Sequence, residues 1–405
     1  MSWLIAGLIA GTALWVGMLL WNIVNFRGNY SVSSGEPFQL RETPRVSILV
    51  PARNEAEMLP STLPGLLQQD YPNYEVVLVD DGSTDGTGDV AEALARSLPE
   101  QEANRLRLIR VKAQLPAGWI GKNHALHTAF QSVAEKSPES EWVLATDADI
   151  VYHPSALRAG LWIAEQQKAD LVTIYAFMQC ETFWEKMMMP GFALLISTVF
   201  PQRKINDPKA SVALASGGYI LMRRSVWASL GGYRAIQSEM IDDLNTARLV
   251  KHSGHRIFAA ATRDLLSTRM YTSFGEIWEG LRKNAFAGHR FSVSKLLAAS
   301  FGYLLTNFLP LAVLGWYGLR WMTGGGRAAG AEITAVSLAA AEYLLVGFIH
   351  LPVLLYLGIG AGFGLLAPIA ASIYAVITFD SMFRTLLGSG VTWKARQYGK
   401  PPRGE

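Results

Sequence analysis

From Val46 onward, short apolar runs alternate with longer stretches of helical periodicity. VSILVP (46–51) precedes a helix-compatible stretch at 56–69, and EVVLVDD (75–81) precedes one at 85–97. LRLIRV (106–111) precedes another at 121–134 and EWVLATD (141–147) one at 154–167, after which DLVTIY (170–175) is a further strand. The alternation predicts an α/β domain with a mostly parallel, doubly wound sheet covered by helices on both faces. On either side of this domain the pattern changes. Trp3–Trp21 and Leu296–Leu319 carry no charged residue, and at about 1.5 Å rise per residue each is long enough to cross ~30 Å of hydrocarbon. The run 343–379 also lacks Asp, Glu, Lys and Arg, but Gly358, Gly360, Gly362 and Gly364 interrupt it, so it reads as two segments. The expected organisation is an anchor at 1–25, a soluble domain at 45–290, about three membrane segments within 296–387 and a basic tail at 388–405.

Composition agrees with a membrane protein that has a large soluble middle: half of the 405 residues are hydrophobic and 17% are charged. No basic residue precedes the first apolar segment and no small-x-small site follows it, which favours an anchor over a cleaved signal peptide. Arg27, Arg41 and Arg45 follow that segment, so the charge bias places the N-terminus outside and the soluble domain in the cytosol of a multi-pass, inner-membrane protein. The single Cys180 excludes an internal disulfide, which suits that compartment. A net charge of +3, with no arginine stripe and no zinc spacing, argues against a nucleic-acid partner. The tail VTWKARQYGKPPRGE is basic and reads as cytosolic, whereas three crossings would end outside. Either one apolar segment is re-entrant or interfacial or the charge rule does not hold here; both stay open.

In open α/β sheets, ligands bind beyond the carboxyl ends of the strands. Three polar clusters have that address: Arg53, Asn54 and Glu55 after the first strand, Asp80 and Asp81 at the end of the second, and Asp147 and Asp149 after EWVLAT. GSTDG at 82–86 suits both a turn with a helix cap and a ligand loop, and for Ser83 and Thr84 the two readings stand level. Two adjacent carboxylates repel and need a further reason. The Asp147-Ala148-Asp149 spacing lets both carboxylates face one point, an oxygen-rich arrangement of the kind Mg²⁺ or Mn²⁺ takes.

In PAGWIGKNHALHTAF, Gly118, Gly121 and Lys122 stand before a helix, where a phosphate could be met by the turn and the lysine charge. The spacing of a Walker A loop is absent, as is a G-x-G-x-x-G turn, so nicotinamide and flavin cofactors are disfavoured. His124 and His127 lack a third metal partner nearby in sequence and read as helix surface or core. Gly217 and Gly218 open an apolar strand, where paired glycines permit close approach of a ligand or of another strand. Asp242 and Asp243 begin a helix that ends near Gly254; they suit either the helix dipole or a general base.

Taken in order, VPARNE (50–55), VDDGSTDGT (79–87), GKNHAL (121–126), TDAD (146–149), SGGYILMRRSVWASLGGY (216–233) and DDLNTARLVKHSG (242–254) resemble the family 2 glycosyltransferases with the GT-A fold. The membrane pattern, RKN at 282–284 and the terminal TWKARQY further resemble the hopanoid-biosynthesis-associated glycosyltransferases of bacteria, and more distantly the ceramide glucosyltransferases. The resemblance implies that Asp81 reads the nucleotide base, that Asp80 supports the loop or the ribose, and that Pro51, Ala52, Arg53, Asn54 and Glu55 wrap the nucleotide. It brings Lys122 to the diphosphate and makes Asp147 and Asp149 the pair that binds a divalent metal, Mg²⁺ or Mn²⁺. The family's Glu-Asp pair is replaced by Asp242-Asp243; the distance to Gly254 favours Asp243 as the base, with Asp242 the alternative one residue away.

Processive members of the family carry Gln-x-x-Arg-Trp after the base, and EIWEGLRKNAFAG here lacks it. The stretch 274–297 instead mixes aromatic and basic residues as an interfacial helix does. Gly217, Gly218, Trp278, Arg282 and Lys283 are accordingly the expected acceptor-binding residues. The resulting expectation is inverting transfer of a sugar from a nucleotide-diphospho-sugar, a UDP-sugar first, to the hydroxyl of a membrane lipid such as a hopanoid or another polyisoprenoid. A processive polysaccharide synthase and a catalytically silent membrane scaffold that senses nucleotide-sugar are the alternatives.

Overall fold

The protein's structure is a computed structural model and describes residues 1–111, 114–289, 291–324, 330–387, 391–393 and 396–398. The chain divides into two compact units that interleave in sequence: Gly28–Gln179 with Phe200–Met270, and Met1–Arg27 with Cys180–Val199 and the chain from Tyr271 onward.

The first unit is built on strands β1 Val46–Ala52, β2 Tyr74–Asp80, β3 Leu106–Arg110, β4 Trp142–Ala145, β5 Val151–Tyr152, β6 Leu171–Tyr175, β7 Phe177–Met178, β8 Ile220–Arg223, β9 Ile257–Ala261 and β10 Leu266–Thr268. Seven of them form one mixed sheet in the order β3-β2-β1-β4-β8-β6-β9, and β5-β10-β7 form a small second sheet. β8 runs antiparallel to both β4 and β6, while the other pairs of the large sheet are parallel.

β1 and β2 are apolar along nearly their whole length because both faces of the sheet are covered. Successive side chains point to opposite faces. Ile48, Val50, Val76 and Leu78 therefore pack with the Leu59–Leu67 and Ala156–Gln167 helices, while Leu49, Val77 and Val79 pack with the Gly121–Lys136 helix on the other face. At Gly160 a Cβ would lie 1.9 Å from the hydroxyl of the fully buried Tyr219, so this helix can cross over the tyrosine only with glycine at the contact.

Chain order leaves β1 toward β2 and β3 on one side and places β4 on the other, so a topological switch point lies between β1 and β4. Ala52 pairs with Asp80 and Leu49 with Ala145, which brings the carboxyl ends of β1, β2 and β4 to one edge. Three helices start later than their hydrophobic period predicts; the one expected at 154–167 begins at Ala156. The segment after β1 turns helical only at Leu59, and the one after β2 at Thr87. For these last two the physical reason is the side chain of Asp85, which accepts from the backbone N–H groups of Ala56 and Thr87 and holds both segments in loop conformation.

The second unit is helical. Among the described residues, Ser2–Phe26, Val293–Met322, Gly330–Tyr356 and Ala361–Leu386 are long and apolar enough to cross a membrane. The last two are separated at Gly358, whose φ of 70° is the left-handed conformation that glycine adopts readily. A π-turn at Leu304–Phe308 interrupts the second of these helices. The Phe274–Gly288 helix is stapled to Ala367–Leu386. Trp278 Nε1 and Arg282 Nη1 both donate to Asp380 Oδ2, at 2.9 and 3.3 Å, and Ser381 Oγ donates to the Arg282 carbonyl at 2.7 Å. Of the basic tail expected at 388–405, only 391–393 and 396–398, a pair of short antiparallel strands, are among the described residues.

Candidate active site

The loops after β1 and β2 are laced together. Arg53 Nη1 donates to the carbonyls of Asp81 at 2.6 Å and Gly82 at 3.0 Å, and Asp81 N donates to the Ala52 carbonyl at 2.8 Å. Asn54, in the left-handed region at φ 53°, donates from its backbone N–H to Ser83 Oγ and accepts from Thr84 N at its Oδ1. Glu55 N reaches Thr87 Oγ1 at 2.9 Å. Asp80 Oδ1 accepts from Ser83 N at 3.0 Å, which makes it a loop support, and both Asp80 and Asp81 are buried. Ser83 and Thr84 thus act as cross-links between the two loops.

Beyond β4, Asp147 and Asp149 are partly exposed on either side of the buried Ala148. Thr62 Oγ1 anchors the Ala148 carbonyl at 2.7 Å, and Asp147 N donates to the Gly217 carbonyl at 3.1 Å. Lys122, in the first turn of the Gly121–Lys136 helix, places its Nζ 2.7 Å from Asp147 Oδ1 and 3.0 Å from Asp242 Oδ2. Burial opposes its charge, but the carboxylates of Asp147, Asp242 and Asp243 outweigh that and hold its ammonium well above the ordinary lysine range.

The Asp242–His252 helix carries the other half of the site. Asp243 accepts from Gly217 N at 3.2 Å through Oδ2 and from Leu244 N at 2.7 Å through Oδ1. Burial, and then the adjacent Asp242, push its carboxyl up to about 6; Lys122 and the Leu244 N–H pull the other way. Asp242 is neutralised by Lys122, so the two neighbouring carboxylates sit in unlike environments, the arrangement that separates an acid–base group from an electrostatic one.

Asp147 and Asp242 lie close enough to share one positive charge. The Lys122 ammonium already bridges Asp147 to Asp242, showing that the donor set neutralises positive charge at that point. A Cβ on Gly217 would come within 2.7 Å of Asp147 Oδ2 and 3.0 Å of Lys122 Nζ, so only glycine leaves that carboxylate accessible. Carboxylate oxygens suit a hard divalent ion. Among the described residues no three His, Cys, Asp or Glu side chains converge to hold an ion unaided.

A family model described as "Glycosyltransferase like family 2" matches residues 44–289, more than half of the chain. The protein is a family 2 glycosyltransferase. This glycosyltransferase is 28% identical over 206 residues to the beta-monoglucosyldiacylglycerol synthase of Nostoc, a match covering 50% of this chain and 40% of the relative. It is 22% identical over 285 residues to the 4,4'-diaponeurosporenoate glycosyltransferase of Staphylococcus haemolyticus, covering 69% of each. The match thus spans about two fifths of the Nostoc relative's length. Its fold is that of the mannosyltransferase PcManGT from Pyrobaculum calidifontis, solved in complex with GDP-Man and Mn2+, at 21% identity and a TM-score of 0.53 over 92% of this chain and 99% of that one.

Within the glycosyltransferase fold, the structure brings Lys122, Asp147, Gly217, Asp242 and Asp243 into direct contact. Pro51 and Ala52 end β1 beside Asp80. Gly218 faces the core instead: its carbonyl accepts from Thr146 and Tyr152, and a Cβ there would meet Ile150 at 2.9 Å. Trp278 and Arg282 lie in the helical unit with their donors on Asp380, and Lys283 follows on the same helix. His124 and His127 pack against Trp119, with ring centroids 5.5 and 4.8 Å apart. Asn123 was not among the expected residues, although a polar side chain inside an otherwise apolar helix face was the signal for it.

Proposed function

We propose that this glycosyltransferase is a multi-pass membrane enzyme that moves a hexose from a UDP-sugar to the hydroxyl of a membrane lipid, a hopanoid or another polyisoprenoid, with inversion at the anomeric carbon. The observation that carries the reading is the convergence of Lys122, Asp147 and the Asp242-Asp243 pair at the carboxyl edge of the sheet. Four apolar helices in the same chain, and relatives named as a beta-monoglucosyldiacylglycerol synthase and a 4,4'-diaponeurosporenoate glycosyltransferase, support a lipid acceptor.

In this reading the loops 51–55 and 80–87 hold the nucleoside, with Asp81 on the base and Asp80 supporting the loop. Lys122 faces the diphosphate, and Asp147 and Asp149 would hold a divalent ion, which would supply Lewis-acid neutralisation of the departing charge. The acceptor oxygen bonds to the anomeric carbon while the bond from that carbon to the phosphate oxygen breaks; the nucleoside diphosphate leaves with the electron pair. Asp243 takes the hydroxyl proton. Its two backbone hydrogen bonds fix its direction, and a carboxyl pushed up to about 6 is a stronger base than an ordinary aspartate yet stays ionised at neutral pH. Gly217 links the two halves by donating to Asp243 and accepting from Asp147 N. The aromatic and basic Phe274–Gly288 helix, anchored by Trp278 and Arg282 to an apolar span and carrying Lys283, suits the interface of a membrane.

Membranes carrying the protein, supplied with radiolabelled UDP-sugars and GDP-mannose, test the proposal. Label should enter organic-extractable lipid, disappear with EDTA and be absent in Asp149→Ala. Label found only in insoluble polymer would replace the lipid acceptor with a growing polysaccharide, and no transfer from any donor would sink the reading.

A further inference from the structure

We propose that Asn123 is a positioning residue that sets the Asp242-Asp243 pair opposite Lys122 and Asp147; the inference rests on the proposed function above. Asn123 is fully buried in the first turn of the Gly121–Lys136 helix, directly after Lys122. Its Nδ2 donates to the carbonyls of Ile236 at 2.7 Å and Glu239 at 3.0 Å, and lies 3.4 Å from that of Gln237. Three carbonyls around one nitrogen require the amide NH₂ there, which settles the orientation of the side chain. Its Oδ1 is buried with no partner among the described residues. Burying an unpaired oxygen costs stability, so the amide is worse than an apolar side chain in every respect except its grip on this loop.

Within the loop, Gln237 N donates to the Arg234 carbonyl at 3.4 Å and Glu239 N to the Ile236 carbonyl at 3.0 Å. Residues 237–241 join the Gly232–Ile236 turn to the Asp242–His252 helix and belong to no strand. Just before Lys122, Ile120 N also donates to the Gln237 carbonyl at 2.8 Å. From the far side, Asn245 Nδ2 reaches Glu239 Oε2 and the Ile241 carbonyl, both at 2.9 Å. Only two residues separate Glu239 from Asp242, so movement of the gripped carbonyl passes to the carboxylates. Lys122 and Asn123 thus divide the work: one neutralises Asp147 and Asp242, and the other fixes the backbone that delivers Asp242 and Asp243 to that lysine.

The test is Asn123→Asp, which keeps the shape but turns the NH₂ that grips the three carbonyls into a carboxyl oxygen that, ionised, repels them, studied in the purified full-length protein. A displacement near 1 Å at a reacting group costs about 10²-fold in rate. We expect kcat to fall about that far, while the donor KM and the Kd for UDP change less than about threefold. Hydrogen–deuterium exchange should rise at amides 237–245 and stay unchanged at 52–58. Asn245→Ala, which loosens the same loop from the other side with Asn123 intact, serves if Asn123→Asp does not fold, and should show the same split. An unchanged kcat with the loop still protected would overturn the proposal, as would a parallel loss of UDP affinity, Tm and kcat in both variants. If the unaltered protein transfers no sugar from any donor, it is the enzymatic reading that fails, and the exchange pattern still decides whether Asn123 holds the loop.

Discussion

Replacing Asp243 by asparagine separates a catalytic carboxylate from a structural one, because the two roles predict opposite effects on stability. In the folded protein this carboxyl sits at about 6, against 3.8 for a free side chain. The folded chain therefore keeps a proton that the unfolded chain has already lost, and ionised Asp243 destabilises the fold. The penalty is absent below about pH 3.8, grows as pH rises and is complete above about 6. At about 1.36 kcal/mol per unit, the shift corresponds to roughly 3 kcal/mol. Halving this for the solvent contact the residue keeps leaves about 1.5 kcal/mol. The asparagine also gives up one of two accepted hydrogen bonds, which costs about 1 kcal/mol at every pH and so drops out of a comparison between pH values. With about 2–4 °C of Tm per kcal/mol for a unit of this size, the Tm of Asp243→Asn relative to the unaltered protein should rise by about 3–6 °C between pH 4 and pH 7.5. The assay is thermal unfolding of detergent-purified protein in EDTA. In membranes at pH 7.5 the same variant should lose about 10²–10⁴ in kcat with little change in donor KM. A Tm difference that does not move with pH, or that moves against the variant, would refute the account of Asp243, and retention of full kcat would transfer the role of base to Asp242.

Two further outcomes follow from the same geometry. Lys122→Gln leaves Asp147, Asp242 and Asp243 without their shared cation, so the variant should bind Mn²⁺ about tenfold more tightly than the unaltered protein when no nucleotide is present and gain more Tm from the ion; titration calorimetry reads the affinity, and equal affinities would show that the lysine does not compete for the site. Gly160→Ala forces a methyl group into the hydroxyl of Tyr219 and should cost about 1–3 kcal/mol of stability with the residual activity per folded molecule unchanged; denaturant unfolding monitored alongside active-site titration checks both.

Much of the glycosyltransferase domain is written locally. Apolar runs long enough for one strand, separated by helical periods, specify β1 to β4 and their crossovers, because which residues must leave water depends on the period and little else. The strand-ending carboxylates were legible for the same reason: Asp80, Asp81, Asp147 and Asp149 interrupt apolar sequence at the points where a parallel sheet exposes its carboxyl edge. Motif order added the family, which no single spacing specified.

Other features depend on which distant segments meet. β8 enters between β4 and β6 antiparallel to both, a choice made by the sheet as a whole. That insertion carries Gly217 to Asp147 and lets Asp243 reach it. The pairing of Lys122 with Asp242, the convergence of three loop carbonyls on Asn123 and the capture of Trp278 and Arg282 by Asp380 each join residues about a hundred or more positions apart. A sequence pattern reports which side chains must be buried or exposed, since transfer from water is a property of one residue at a time. A hydrogen bond or ion pair depends on the distance and direction between two groups, and those are set only when the sheet order and loop paths have closed.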